Sequence, residues 1–205
     1  MQRSPFTLLL GLVVLFDLVF LAVPTLVVVV ISFTSGNMVA FPPEGFSLRW
    51  YGVLLTKPDF LAALGRSLWV GLVCPPPAVP AGTAAALALA RWRIRYPVGL
   101  QLYLLLPFTV PLVVSGIALM LLFGRMGMLG QVWPVGLAAC VINLHFMIWA
   151  VAASVNHLDP DLENAAMNCG AAPTHTFFTV TLPAVAPGIL TGALVMFILA
   201  VNEFL

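Results

Sequence analysis

From Phe6 to Phe33 the chain is apolar, with Asp17 and Pro24 as the only interruptions. A helix of that length crosses a hydrocarbon layer of about 30 Å with some tilt, and it is longer than the buried helices of ordinary water-soluble cores. It is also longer than the roughly 7 to 15 apolar residues of a cleavable signal, so it reads as a retained span. The rest of the 205 residues follows suit: 62% are hydrophobic, only 7% are charged, and mean hydropathy is +1.11. Water-soluble domains carry about 25% charged residues. The chain is therefore expected to be an all-α integral membrane protein with the lipid bilayer as its solvent, forming one domain over residues 1–205.

Further spans are expected near 67–90, 101–123, 134–155 and 187–205, which with 6–33 makes about five. Between the first two, residues 35–66 carry Pro42, Pro43, Glu44, Gly45, Arg49, Lys57, Pro58 and Asp59 and read as an aqueous loop with room for a short surface helix. The second span contains Pro75, Pro76, Pro77 and Pro80 after Cys74, which remove backbone donors, so an uninterrupted helix is not expected there. Such a break has to be buried against protein or line a wet cavity. In the third span, Pro107 and Pro111 lie near the start.

Net charge is +1, and the densest basic feature is Arg91, Arg93 and Arg95, which excludes nucleic acid as a partner. That triplet reads as a topology signal in a short hairpin. With the N-terminus inside, Arg3 joins it, against Arg49, Lys57, Arg66 and Arg125 outside; the clustering in a short loop favours the N-inside orientation. Cys74, Cys140 and Cys169 are odd in number and widely spaced, so they are expected to be free thiols, with no metal or cofactor bound by this chain.

The polar segment 156–183 is the most informative stretch. Asp159 is placed to cap a helix, Pro160 suits its first position, and Asp161 and Glu163 complement the positive end of its dipole. Leu162, Ala165, Ala166 and Cys169 recur at helical spacing, with Asn164 and Asn168 elsewhere, and Gly170 stands where a left-handed stop is easiest. A second short helix from Thr174 would present Phe177 and Phe178 before Leu182, Pro183, Pro187 and Gly188 punctuate the entry to the last span.

Asn164-Ala165-Ala166, three residues, Gly170, nine residues, then Val180-Thr181-Leu182-Pro183 resembles the cytoplasmic loop of the permeases of binding-protein-dependent ABC importers, in which Glu and Ile occupy the positions of Asn164 and Val180. Phe41 to Tyr51, Ala88 to Arg91 and Val201 to Phe204 are similar to the second permease of spermidine/putrescine-type systems. The resemblance implies a transport subunit, not an enzyme, in the bacterial inner membrane, moving a small organic solute such as a polyamine. It implies a cytoplasmic ABC ATPase dimer that carries ATP and Mg, a second permease and a periplasmic solute-binding protein. Glu163, Asn164, Ala165, Ala166, Gly170, Phe177, Leu182 and Pro183 would form the coupling loop that docks on the ATPase. The only lysine, Lys57, sits in no phosphate-binding loop, in keeping with an energy source elsewhere. Members of the family usually carry a sixth span after the segment resembling Val201 to Phe204, which leaves a truncated, non-transporting permease as one alternative.

Asp17 lies inside the first span, where a carboxylate costs at least about 2.5 kcal/mol unless it faces protein or water. It is either a substrate-pathway contact or a structural hydrogen bond, and as an ion site it would suit a second alternative, an ion-coupled secondary transporter or channel. Glu203 is either a contact for a cationic solute or a solvated end group. Asn143 and His145 are expected to hydrogen-bond between helices. Trp50 and Tyr51 are read as interfacial belt residues, with an aromatic cage for a cation as the alternative.

Overall fold

The computed structural model describes residues 5–92 and 94–202, and every regular element among them is helical. The elements are α1 (Pro5–Ser32), α2 (Arg49–Thr56), α3 (Pro58–Val73), α4 (Pro75–Arg91), α5 (Pro97–Thr109), α6 (Leu112–Arg125), α7 (Trp133–His157), α8 (Pro160–Asn168), α9 (Pro173–Thr176), a π-helical turn (Phe177–Thr181) and α10 (Leu182–Asn202). The fold is all-α, as composition demands. Among the described residues four segments are long and apolar enough to cross a membrane, Leu9–Ser32, Pro58–Arg91, Trp133–His157 and Pro173–Asn202, and the bent pair of α5 and α6 is a fifth if it is one broken span and not a re-entrant loop. Contacts group the chain into two compact units, Met1–Ala62 and Ala63–Leu205.

In the first unit α1 leaves its apolar side chains exposed, as a helix facing lipid does. The loop after it is stapled by Ser35 N–H donating to the Gly45 carbonyl (2.9 Å) and Ser47 N–H to the Phe33 carbonyl (2.6 Å). Trp50 donates its indole N–H to the Gly36 carbonyl (3.2 Å) and has the Arg49 guanidinium 4.6 Å above its ring; Tyr51 stacks on Phe33 and shares a hydrogen bond with Ser32 (2.7 Å). Both rings are thus engaged by their own surroundings, Trp50 by Gly36 and Arg49 and Tyr51 by Ser32 and Phe33. The aqueous loop is shorter than the expected 35–66, because Pro58 opens α3 and Asp59 sits in its first turn. Proline at the head of a helix followed by an acidic residue is a start signal, and this one was read as a turn.

The second unit is built on α7, which packs chiefly against α10 and α4. Close approach depends on small residues: a methyl group on Gly188 would lie 2.6 Å from the Ala150 carbonyl, and one on Gly192 would lie 3.2 Å from the Met147 Cα. In lipid, helices associate through such tight van der Waals contact, since the hydrocarbon around them removes the usual hydrophobic drive. Residue 74 is the whole of the break in the second span. Cys74 keeps α-helical angles, its N–H bonds the Val70 carbonyl (3.1 Å), and it is fully buried. Pro75, Pro76 and Pro77 are tolerated because they form the first turn of α4, whose N–H groups would have no helical partner anyway. Gly136 of α7 covers the junction, with room for no more than a hydrogen beside Val73.

The third span departs from expectation. It starts at Pro97 and is two helices bent by 82° rather than one straight segment over 101–123. Val110 and Pro111 both take extended angles, the conformation that a residue before proline is pushed towards. The last span also starts earlier than 187, because helical structure runs from Pro173 through the π-helical turn to Asn202. Pro183 does not punctuate it. A proline there cannot donate to the Thr179 carbonyl, and the widened turn just upstream, where Leu182 N–H reaches back to the Phe177 carbonyl, carries the helix past it. His145 forms no interhelical hydrogen bond: it is buried with both ring nitrogens unpaired, because α5 presents it with the ring of Phe108 (4.3 Å) and α7 with Phe146 and Trp149. Asn143 donates within its own helix, to the Ala139 carbonyl (3.1 Å).

Candidate functional site

The expected coupling loop folds into α8, α9 and the π-helical turn at the mouth of α10. Asp159 caps α8, its side chain accepting the Asp161 N–H at 2.9 Å, and Pro160 takes the first turn. The C-terminal stop explains the spacing of Ala166 and Gly170. Ala171 N–H bonds the Ala166 carbonyl (3.1 Å) and Gly170 N–H bonds the Met167 carbonyl (2.9 Å), while Gly170 itself takes φ +91°. These are the two bonds of a Schellman stop, which sets a glycine four residues after the carbonyl it helps to satisfy.

The two polar residues at the head of the motif have opposite fates. Asn164 is exposed and reaches only Asp161, at 3.4 Å. Glu163 turns inward: Oε1 accepts a hydrogen bond from the Thr181 hydroxyl at 2.7 Å, and Oε2 lies 3.2 Å from Arg91 Nη2 at the end of α4. The Arg91 approach is within ion-pair range but off the direction of a hydrogen bond, so Arg91 Nε and Nη2 are left without a directed acceptor. A carboxylate thereby joins α4, α8 and the π-helical turn. It also places the Arg91 end of α4 beside α8 and the π-helical turn.

Beside this junction lies an open cavity of about 660 Å³, walled by Val79, Leu87, Met167, Phe177 and Ile189, with the buried, unpaired hydroxyls of Thr83 and Thr176 in its lining. Phe177 is half-buried there and stands edge-on to the exposed Phe178. Leu182 is half-buried and Pro183 exposed. On α8 the outward residues are Asp161, Leu162 (55% exposed), Asn164, Ala165, Met167 (43%) and Asn168, while Ala166 is half-buried.

Other residues singled out in the sequence are not drawn to this site. Asp17 is exposed on α1 and makes no ion pair with a described residue. Glu203 and Arg93 lie outside the described residues. Sequence reasoning did not foresee the tie between Arg91 and Thr181. Arg91 is legible as a topology charge and as the end of a segment similar to the family, and nothing local marks it or Thr181 as the partner of a residue on another helix.

The pattern of the family described as "Binding-protein-dependent transport system inner membrane component" matches residues 78–205. The chain is 32% identical over 212 aligned residues to the putrescine transport system permease protein PotI of Escherichia coli strain K12, covering 98% of this chain and 73% of the relative. It is 31% identical over 182 residues to the molybdenum transport system permease protein ModB of Mycobacterium bovis, covering 81% and 69%. Against the sulfate transport system permease protein CysW of Synechococcus elongatus it is 31% identical over 154 residues, covering 69% and 54%. The chain therefore belongs to the inner membrane components of binding-protein-dependent transport systems: it is an ABC-type importer permease subunit of the inner membrane, with ATP hydrolysis housed in a separate subunit.

Proposed function

We propose that this permease moves a polyamine of the putrescine type, working with a second permease, a cytoplasmic pair of ATPases that bind ATP and Mg, and a periplasmic solute-binding protein. The observation that carries the substrate is the similarity to PotI, which runs over 98% of the chain, against 81% and 69% for the molybdenum and sulfate relatives. In this reading α8 is the docking helix. Support comes from its capped build and from the outward Leu162, Ala165 and Met167, small or apolar residues that suit close seating in a protein groove. Gly170 ends the helix and lets the chain turn towards α9.

The test is uptake into vesicles carrying this permease with its partner subunits, using radiolabelled putrescine, molybdate and sulfate in parallel. ATP-dependent uptake of putrescine alone is the expected result. Uptake of either oxyanion in its place overturns the polyamine reading, and uptake that follows an ion gradient without ATP overturns the coupling to an ATPase.

A further inference from the structure

We infer that Glu163 is an internal strut: through Arg91 and Thr181 it makes the docking helix α8, the end of α4 and the head of α10 move as one body. The inference rests on the reading of α8 as the docking helix. A glutamate on a docking helix would ordinarily be free to face the partner, but both oxygens of Glu163 are engaged within the chain, and its side chain is only 20% exposed. The Glu163 charge is therefore structural, and the charge that α8 leaves outward is that of Asp161 in its first turn.

The mechanical argument follows from how α8 is held. It is joined to α7 by Leu158 and Asp159 and to α9 by residues 169–172, two short linkers about which a lone helix would pivot. It packs on α9 and the π-helical turn, and the ion pair to Arg91 adds a hold on α4. A push on α8 would be absorbed at the linkers if these holds were absent. With them it is delivered to two membrane-crossing segments, Pro58–Arg91 through Arg91 and Pro173–Asn202 through Thr181. Thr181 sits in the π-helical turn, an irregularity that often marks a place where a helix changes state. Because Glu163, Arg91 and Thr181 are partly or fully shielded from water, their interactions are less screened than those of a surface pair.

The two arms make separable predictions. Spin labels are placed on the exposed native Cys169 at the end of α8 and on either Ala81→Cys in α4 or Thr191→Cys in α10, in the full chain purified with its partner subunits into lipid nanodiscs; Cys74 and Cys140 are buried. Pulsed electron resonance then reads each distance distribution. The parent is expected to give one narrow distance for both pairs, with and without ATP. Arg91→Gln is expected to broaden the α8–α4 pair and leave the α8–α10 pair narrow, Thr181→Val to do the reverse, and the exchange Arg91→Glu with Glu163→Arg to restore the α8–α4 pair. Unchanged widths in both single variants overturn the strut, as does equal broadening of both pairs in either one, which marks general loosening. Failure of the exchange to restore the narrow distance overturns it too. Co-purification of the ATPase is scored on the same samples: its absence from the parent counts against the docking reading, while arm-specific broadening still reports the strut.

Discussion

Gly188 of α10 lies so close to the Ala150 carbonyl of α7 that a methyl group in place of its hydrogen would sit 2.6 Å from the oxygen. The backbone of α7 cannot retreat without moving the helix. Gly188→Ala is therefore expected to destabilise the bundle by about 1–3 kcal/mol, the usual cost of overpacking. Denaturation in mild detergent measures it. Gly11→Ala on α1, where nothing lies within 4 Å, is the control and is expected to leave stability unchanged.

At Gly170 the obstacle is conformation, since a Cβ there meets nothing within 4 Å while φ is +91°. Gly170→Val is expected to cost roughly 1–2 kcal/mol in the Schellman stop and to lower recovery of the ATPase with the permease, with membrane insertion intact. Gly170→Asn, which tolerates left-handed angles better, is expected to retain more of it. Equal recovery with the valine and asparagine variants would show that the stop is not what presents α8.

A charge on the outward face tests docking directly. Leu162→Lys and Met167→Glu each replace an apolar contact by a full charge, and truncation or disruption of a buried anchor there costs about 2 kcal/mol or more. Tenfold or greater loss of co-purified ATPase is expected, roughly 1.4 kcal/mol per tenfold, with no change in thermal stability because both side chains are exposed. Undiminished recovery of the ATPase by either variant would remove that residue from the interface.

Native thiols report the same geometry without mutation. Cys169 is exposed at the end of α8, and Cys74 and Cys140 are buried. A membrane-impermeant maleimide is expected to modify Cys169 alone, from the side that holds α8, and more slowly when the ATPase is bound. Mass spectrometry of the modified peptides counts the sites.

Much of this protein could be read before any coordinates. Long apolar runs dictate spans because an unpaired backbone group in hydrocarbon is too costly for anything but a helix. The Asp159 cap and the Ala166 to Gly170 stop are also local, since each is made by residues within one or two turns, so spacing alone specifies them. The effect of a proline depends on its position within the helix. Pro58 and the Pro75 to Pro77 run open helices, Pro183 is absorbed by a π-helical turn, and only at Val110 and Pro111 does the chain bend sharply.

What the sequence determined by itself is therefore the solvent, the helical class, the family and the ends of α8, all of which depend on composition or on neighbours along the chain. The directions of the two polar residues at the head of the motif come from packing between distant segments. Glu163 belongs to Arg91 and Thr181, and Asn164 belongs to the surface. Helix spacing puts adjacent residues about 100° apart on α8 but does not say which faces the bundle. That choice is made by the packing of α4 and the π-helical turn around it, which brings a distant guanidinium and hydroxyl to one carboxylate and leaves Asn164 outward.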